Sequence, residues 1–506
     1  MYFFTYKKLS LRLFGLALFA LLSWSCRKEG PYKNLPVYGP RQPFYALTDQ
    51  NAIVAYNARD VRTPQSNISL SGLAASETML SIDFRPATGE LYGISSLSRL
   101  YLIDVSSGAV RGVSATAFAP LLNGTIASMD FNPVDDRIRI VTNTGQNLRI
   151  NPETGLVEGN DTNLSGTAIS GIAYNNNYAG AATSILYDLD VVSNILYKQD
   201  PQNAATLVNI GSLGLTLGNN VSFDISPDNL NALAVGKLQD STKLFTIDLS
   251  TGKATLSGKF SQNVNIRGIA MPTNPVAYAI DNTNQLVIFN PSISKPIFYN
   301  KPISGLQAGE TIYGIDMRPF NGQLYAIGSS NHLYTVHMGT GKLTAIGTLS
   351  TALSGTSFGF DFNPVTDIIR VVSNTGQNLR ISPTTAAVTI DPSITPTSAN
   401  LTASAFTNNF RTSSATILYV IDDVTDKLYK QEPNTGVLTE VGGLKVDITS
   451  ANGFDILYSS GDVAYGVFTV GATTNLYTIN LTTGEATAKV ELARPISAFA
   501  MGLRFN

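Results

Sequence analysis

From about residue 44 onward, apolar and polar residues alternate in short runs separated by Gly, Asn, Pro and Asp. SIDF, LYGI, SMDF and LYTID are runs of this kind, and a two-residue alternation marks a half-buried β-strand. No window of useful length carries the 3.6-residue apolar period of an amphipathic helix. The runs fall into a longer unit that recurs about every 40–46 residues. A strand such as SIDF comes first, then a turn, an LYGI-type strand, a third strand of the LYTID type, a T-G turn and a last strand such as KLTAIG. Four antiparallel strands per unit, in long series, predict an all-β protein of the β-propeller kind.

The units are themselves duplicated. YALTDQNAIVAYN (45–57) matches YAIDNTNQLVIFN (278–290), and LYDLDVVSNILYKQDP matches LYVIDDVTDKLYKQEP, at an offset that stays near 231–233 residues. Each half holds about five units and ends in a short apolar strand, RGIAMPT (267–273) or SAFAMGL (497–503). Each of these could complete the first unit of its own half. The expected organisation is a first propeller-like half over 44–273 and a second over 274–506. Two tandem five-bladed propellers are the first expectation, and one ten-bladed ring is the alternative.

The combination SGLxAxET…IDxRPxxGxLYxI, then FDFNPVxDxIRVVSNTGQNLR, resembles the bacterial domain-of-unknown-function family 4394, here present as two tandem copies. The resemblance covers nearly everything from residue 44 to 506. It implies a secreted, propeller-like domain, often in single copy, which favours two propellers. It brings no activity, ligand or catalytic residue.

The N-terminus follows other rules. Lys7, Lys8 and Arg12 precede the apolar run LFGLALFALL and then SWSC. This reads as a signal peptide over residues 1–25, with Cys26, the only cysteine, placed for lipidation. Residues 26–43, rich in Pro and charge, read as a tether. The expected location is the cell envelope, lipid-anchored to the outer membrane and facing periplasm or surface. Cleavage moves the formal net charge from −2 to about −5, and no basic run offers a nucleic-acid surface. The lipid is then the expected membrane contact.

One stretch has not drifted. NTGQNLRI occurs unchanged at 143–150 and 374–381. Just before and within it, the tyrosines that other units carry (Tyr92 and Tyr101, Tyr325 and Tyr334) give way to Arg139 and Arg149, and to Arg370 and Arg380. A guanidinium inside stacked sheets needs a partner. The first strand of three units per half supplies aspartates: Asp83, Asp130 and Asp224, then Asp316, Asp361 and Asp455. Two readings follow. In one, the aspartates form a structural network that the arginines answer, around a tight turn at Gly145 and Gly376. In the other, Arg139, Asn143, Gln146, Asn147 and Arg149, with Arg370, Asn374, Gln377, Asn378 and Arg380, line polar pockets for an anionic glycan or an envelope protein.

Catalysis has little to work with. His332 and His337 are the only histidines, and neither has a counterpart in the first half. They read as surface residues, and no catalytic residue, metal or cofactor is expected. The aspartates leave a carboxylate-dependent glycan hydrolase as the alternative to a binding or interaction module.

Overall fold

The computed structural model describes residues 38–261, 264–458 and 461–504; the signal peptide, Cys26 and most of the tether expected from the sequence lie outside them. Forty strands and one 3-10 turn, Gln202–Ala204, account for the regular structure of the described residues. The strands form ten four-stranded antiparallel sheets. Eight sheets are built from consecutive strands, as in Met79–Phe84, Leu91–Ser95, Leu100–Ile103 and Val110–Gly112. Turns with Asp, Asn or Gly in the left-handed region, among them Gly89, Asp136 and Gly145, join them.

The remaining two sheets take one strand from far along the chain. Ile266–Ala270 pairs with Pro43–Thr48, Tyr45 opposite Ala270, and Ile496–Met501 pairs with Ala277–Asp281, Tyr278 opposite Ala500. The two terminal apolar strands thus complete the first sheet of their own halves, as the repeat pattern predicts.

The first strand of every sheet lies against the first strands of two others. In the first half Ile266–Ala270 neighbours Met79–Phe84, which neighbours Ala127–Asn132, then Ile169–Tyr174, then Ser222–Ile225, which returns to Ile266–Ala270. The second half repeats the order with Ile496–Met501, Ile312–Arg318, Phe358–Asn363, Leu401–Phe406 and Ser450–Tyr458. We call these the leading strands.

Apolar side chains fill the space between successive sheets. Tyr92, Ile94, Met129, Phe131, Ile138 and Ile140 form one such layer, and the ring of Tyr92 meets Phe131 edge-on at 5.2 Å. Tyr325 meets Phe362 in the same way at 5.0 Å. The LY tyrosines are therefore packing residues, each burial worth about 1.5–3 kcal/mol.

From Tyr38 onward the chain is one compact unit, and the halves meet along a tight seam. Ala87 of the first half packs among Val276, Tyr278, Met317 and Leu503, and the Tyr278 hydroxyl donates to the Ala87 carbonyl at 2.8 Å. Arg85, fully buried, donates to Asp136 (Nε–Oδ1 2.9 Å), to Glu153 at 3.2 Å and across the seam to the Gly322 carbonyl at 3.1 Å. His337 belongs to this region as well. It is half-buried and faces Asp136 and Arg137, and burial lowers its pKa. His332 is half-buried beside Glu310, 3.5 Å away. The expectation that both histidines are surface residues is corrected: packing at the seam and beside Glu310 draws them in.

Candidate functional site

The invariant octapeptide is a clamp made of side chains. Asn143, Thr144 and Gly145 turn the chain between Arg137–Thr142 and Asn147–Ile150, with Gly145 at a φ of 88° and Gly376 at 82°. Asn143 Oδ1 accepts from the backbone N–H of Thr125 and Ile126 at 3.1 and 3.2 Å. Gln146 accepts from Asn123 N–H at 3.0 Å and donates to the Leu121 carbonyl at 2.9 Å. Asn147 donates to the carbonyls of Thr162 and, in the next sheet, Gln202. The second copy repeats this: Asn374 holds Thr356, Gln377 holds Ser354 and Ala352, and Asn378 holds Pro392 and Pro433.

The arginines close on a carboxylate, though not the one the sequence suggests. Arg139 and Arg149 both donate to Asp161, Arg149 through two bonds of 2.8 and 3.0 Å. Arg370 and Arg380 share Asp391 at 2.7 and 2.8 Å. The pairing of these arginines with the leading-strand aspartates is therefore corrected. Asp130 stands opposite Arg139 in the sheet register, yet its carboxylate accepts from Tyr174 N–H in the next leading strand at 3.0 Å. Backbone donors satisfy the aspartates and leave the guanidiniums to the loops. Arg139 is 1% exposed and Arg370 3%. Each pair forms an internal Arg–Asp–Arg clasp, with Arg149 and Arg380 on its open side.

Asp161 and Asp391 escaped the sequence comparison for a local reason. They lie 12 and 11 residues beyond Arg149 and Arg380. The first copy has a β-bulge between Arg149 and Ile150 that absorbs the extra residue. The offset between copies slips there, so the two aspartates do not align.

The leading-strand aspartates sew successive sheets together. Asp83 accepts from Phe131 N–H, Asp224 from Met271, Asp316 from Phe362, Asp361 from Phe406 and Asp455 from Met501, at 2.5–3.0 Å. All six are 1% exposed. They also gather into two triads: within Asp83, Asp130 and Asp224, and within Asp316, Asp361 and Asp455, one oxygen of each lies within 4.8 Å of the others. Burial is the main cause that pushes all six carboxyls up, Asp224 to about 7 and Asp455 to about 6, and Coulombic repulsion by triad neighbours adds to this in the other four.

A third cluster had no signal in the repeat comparison. At the seam three guanidiniums surround Phe320, which is 39% exposed. Arg411 lies 3.5 Å from the ring centroid, Arg318 4.9 Å and Arg111, from the first half, 5.7 Å. Arg111 and Arg411 also donate to the Phe320 carbonyl at 3.1 and 2.8 Å. Arg318 is paired with Asp367 (Nε–Oδ1 2.8 Å), whereas Arg111 and Arg411 reach no carboxylate within ion-pair distance among the described residues. Arg111 Nη1 has no hydrogen-bond partner, and burial pushes the guanidinium down to about 10. Arg411 stands where the first half has Ala179, so a search for features common to both halves passes over it.

The chain belongs to the domain of unknown function family DUF4394, which matches residues 52–270 and again 285–500. No curated protein matches it. Among solved structures it is similar to the computationally designed Ika8 protein, at 11% identity and a TM-score of 0.22, over 81% of this chain and 99% of that one. It is also similar to the extracellular domain of a hybrid two-component system from B. thetaiotaomicron, at 14% identity and a TM-score of 0.23, over 91% of this chain and 61% of that one. Likenesses this weak add nothing to the argument.

Proposed function

We propose that the protein is a lipid-anchored envelope binding module, built as two five-bladed propellers in tandem, that takes an acidic glycan on the seam arginines. The propeller reading is supported by the two returning orders of leading strands and by the closure of each half's first sheet with that half's own last strand. Both favour two rings over one ring of ten. The ligand reading rests on one observation: Arg111 and Arg411 converge on Phe320 and, among the described residues, neither has a carboxylate within ion-pair distance, Glu90 acting on Arg111 from farther away. Guanidiniums without an ion pair beside an exposed ring suit a carboxylated or sulfated sugar, which offers both charge and an apolar face. Hydrolysis is disfavoured, because glycoside cleavage needs two acids that reach the substrate and the six leading-strand aspartates are sealed.

The test is titration of the purified full chain with an acidic and a neutral polysaccharide, for wild type and Arg411→Ala. The acidic polymer should bind wild type, and the substitution should weaken binding about tenfold, as expected for a lost charge-assisted hydrogen bond. Binding that ignores Arg411→Ala would remove the seam arginines from the account, and capture of an acidic protein instead would replace the glycan.

A further inference from the structure

We infer that each aspartate triad is a cation site that holds one calcium-class ion on oxygen ligands. The triad occurs twice, in two halves whose surrounding sequence has drifted, and in each half it closes three of five equivalent leading-strand positions. The other two hold alanines, Ala173 and Ala270 in one half and Ala405 and Ala500 in the other, all fully buried. Three carboxylates therefore converge where five side chains could crowd.

In the second half their hydrogen bonding is incomplete in a telling way. Asp316, Asp361 and Asp455 each use one oxygen to hold the next leading strand. The other oxygen of each, Oδ1, Oδ2 and Oδ1 respectively, is buried without a hydrogen bond of ordinary geometry, and only the adjacent N–H of Met317 and of Ile456 acts on Asp316 and Asp455. Three carboxylates so close together in a dry interior are mutually repulsive, and an unpaired buried oxygen carries a desolvation cost. A cation removes both penalties at once.

The chemistry of the donors narrows the ion. Oxygen ligands without His or Cys select hard cations. The three oxygens lie within 4.8 Å of one another, so an ion at the centre of the triangle lies no more than about 2.8 Å from each corner, which admits the 2.3–2.6 Å of calcium. Two residues before each aspartate, Gly314, Gly359 and Gly453 join Ser404 around a cavity of about 20 Å³, large enough for one water. Ser404 Oγ is itself buried without a partner, so a water there has a polar neighbour.

The decisive measurement is the metal content of the purified full chain by mass spectrometry, followed by its melting temperature after chelation and after adding Ca²⁺ alone. About two calcium ions per chain are expected, one per triad. Chelation should lower the melting temperature by about 5 °C or more and Ca²⁺ should restore it. Asp361→Asn, which keeps the acceptor for Phe406 N–H, should retain half the calcium. Anomalous diffraction from wild-type crystals soaked in a lanthanide places the ion without any variant, and density between the three carboxylates is expected. No bound metal and no response to millimolar Ca²⁺ would mean that the carboxyls share protons, and the inference fails. It fails equally if the anomalous peak lies elsewhere.

Discussion

Asp188→Val stabilises the folded chain, by about 3–5 kcal/mol near pH 7.5 and by only about 1–2 kcal/mol at pH 5. Asp188 is fully buried in the strand Leu186–Asp190, and neither of its carboxyl oxygens has a hydrogen-bond partner. Burial pushes its pKa up to about 8, against a smaller downward pull from Arg139. The second half answers the same position with Val420, also fully buried, among Leu401, Phe406 and Leu418. Around Asp188 the corresponding neighbours are Ile169, Tyr174 and Leu186, so a valine fits a pocket that the fold already fills with one.

The sign of the pH effect follows from the direction of the shift. Between pH 3.8, the ordinary aspartate value, and about 8, the folded chain keeps a proton that the unfolded chain has released. Stability therefore falls as pH rises through that window, by about 1.4 kcal/mol per unit. Valine abolishes that slope, and the benefit grows with pH. Urea midpoints of both proteins at pH 5 and 7.5 check this. Equal gains at the two values would mean that Asp188 is ionised or partnered in the fold.

How much of this was legible beforehand depends on the range of the interaction. Strand alternation and the repeat are local, so the four-stranded sheets and the strands that complete them, 266–270 and 496–501, could be read directly. The octapeptide stood out because its Asn and Gln side chains hold particular loop carbonyls and N–H groups and its arginine holds a loop carboxylate. A substitution would leave a buried group unpaired. What could not be read was which carboxylate answers the arginines. The aspartates that recur on the first strands made a pairing with them the natural expectation, and Asp130 does stand opposite Arg139 in the register. Only the folded loop at 161 shows the competing partner, and the bulge beside Arg149 hid it from the comparison of the two halves. The seam cluster was less legible still. Arg111 and Arg411 stand 300 residues apart in sequence and meet through packing of the two halves.

The clasp predicts an asymmetry between the two copies that sequence identity would not. Asp391→Ala should destabilise the chain by about 3–5 kcal/mol, the cost of leaving a buried guanidinium uncompensated. Asp161→Ala should cost less. Arg139 keeps Asn147 at 2.9 Å, Asn203 at 2.7 Å and the Tyr174 hydroxyl at 3.4 Å once its carboxylate is gone. Arg370 keeps only Asn378 at 2.8 Å, and its Nε already lacks a partner. Burial also holds the Arg370 guanidinium below its ordinary pKa, and losing the Asp391 charge removes what opposes that. Thermal or urea unfolding of the two variants side by side decides the matter. A larger loss from Asp161→Ala would show that the carboxylate, and not the set of neutral acceptors behind it, carries the clasp. The same comparison separates structure from binding: if Asp391→Ala lowers stability while affinity for an acidic polysaccharide persists in the folded fraction, NTGQNLRI acts within the fold and the ligand surface lies elsewhere, as the seam arginines require.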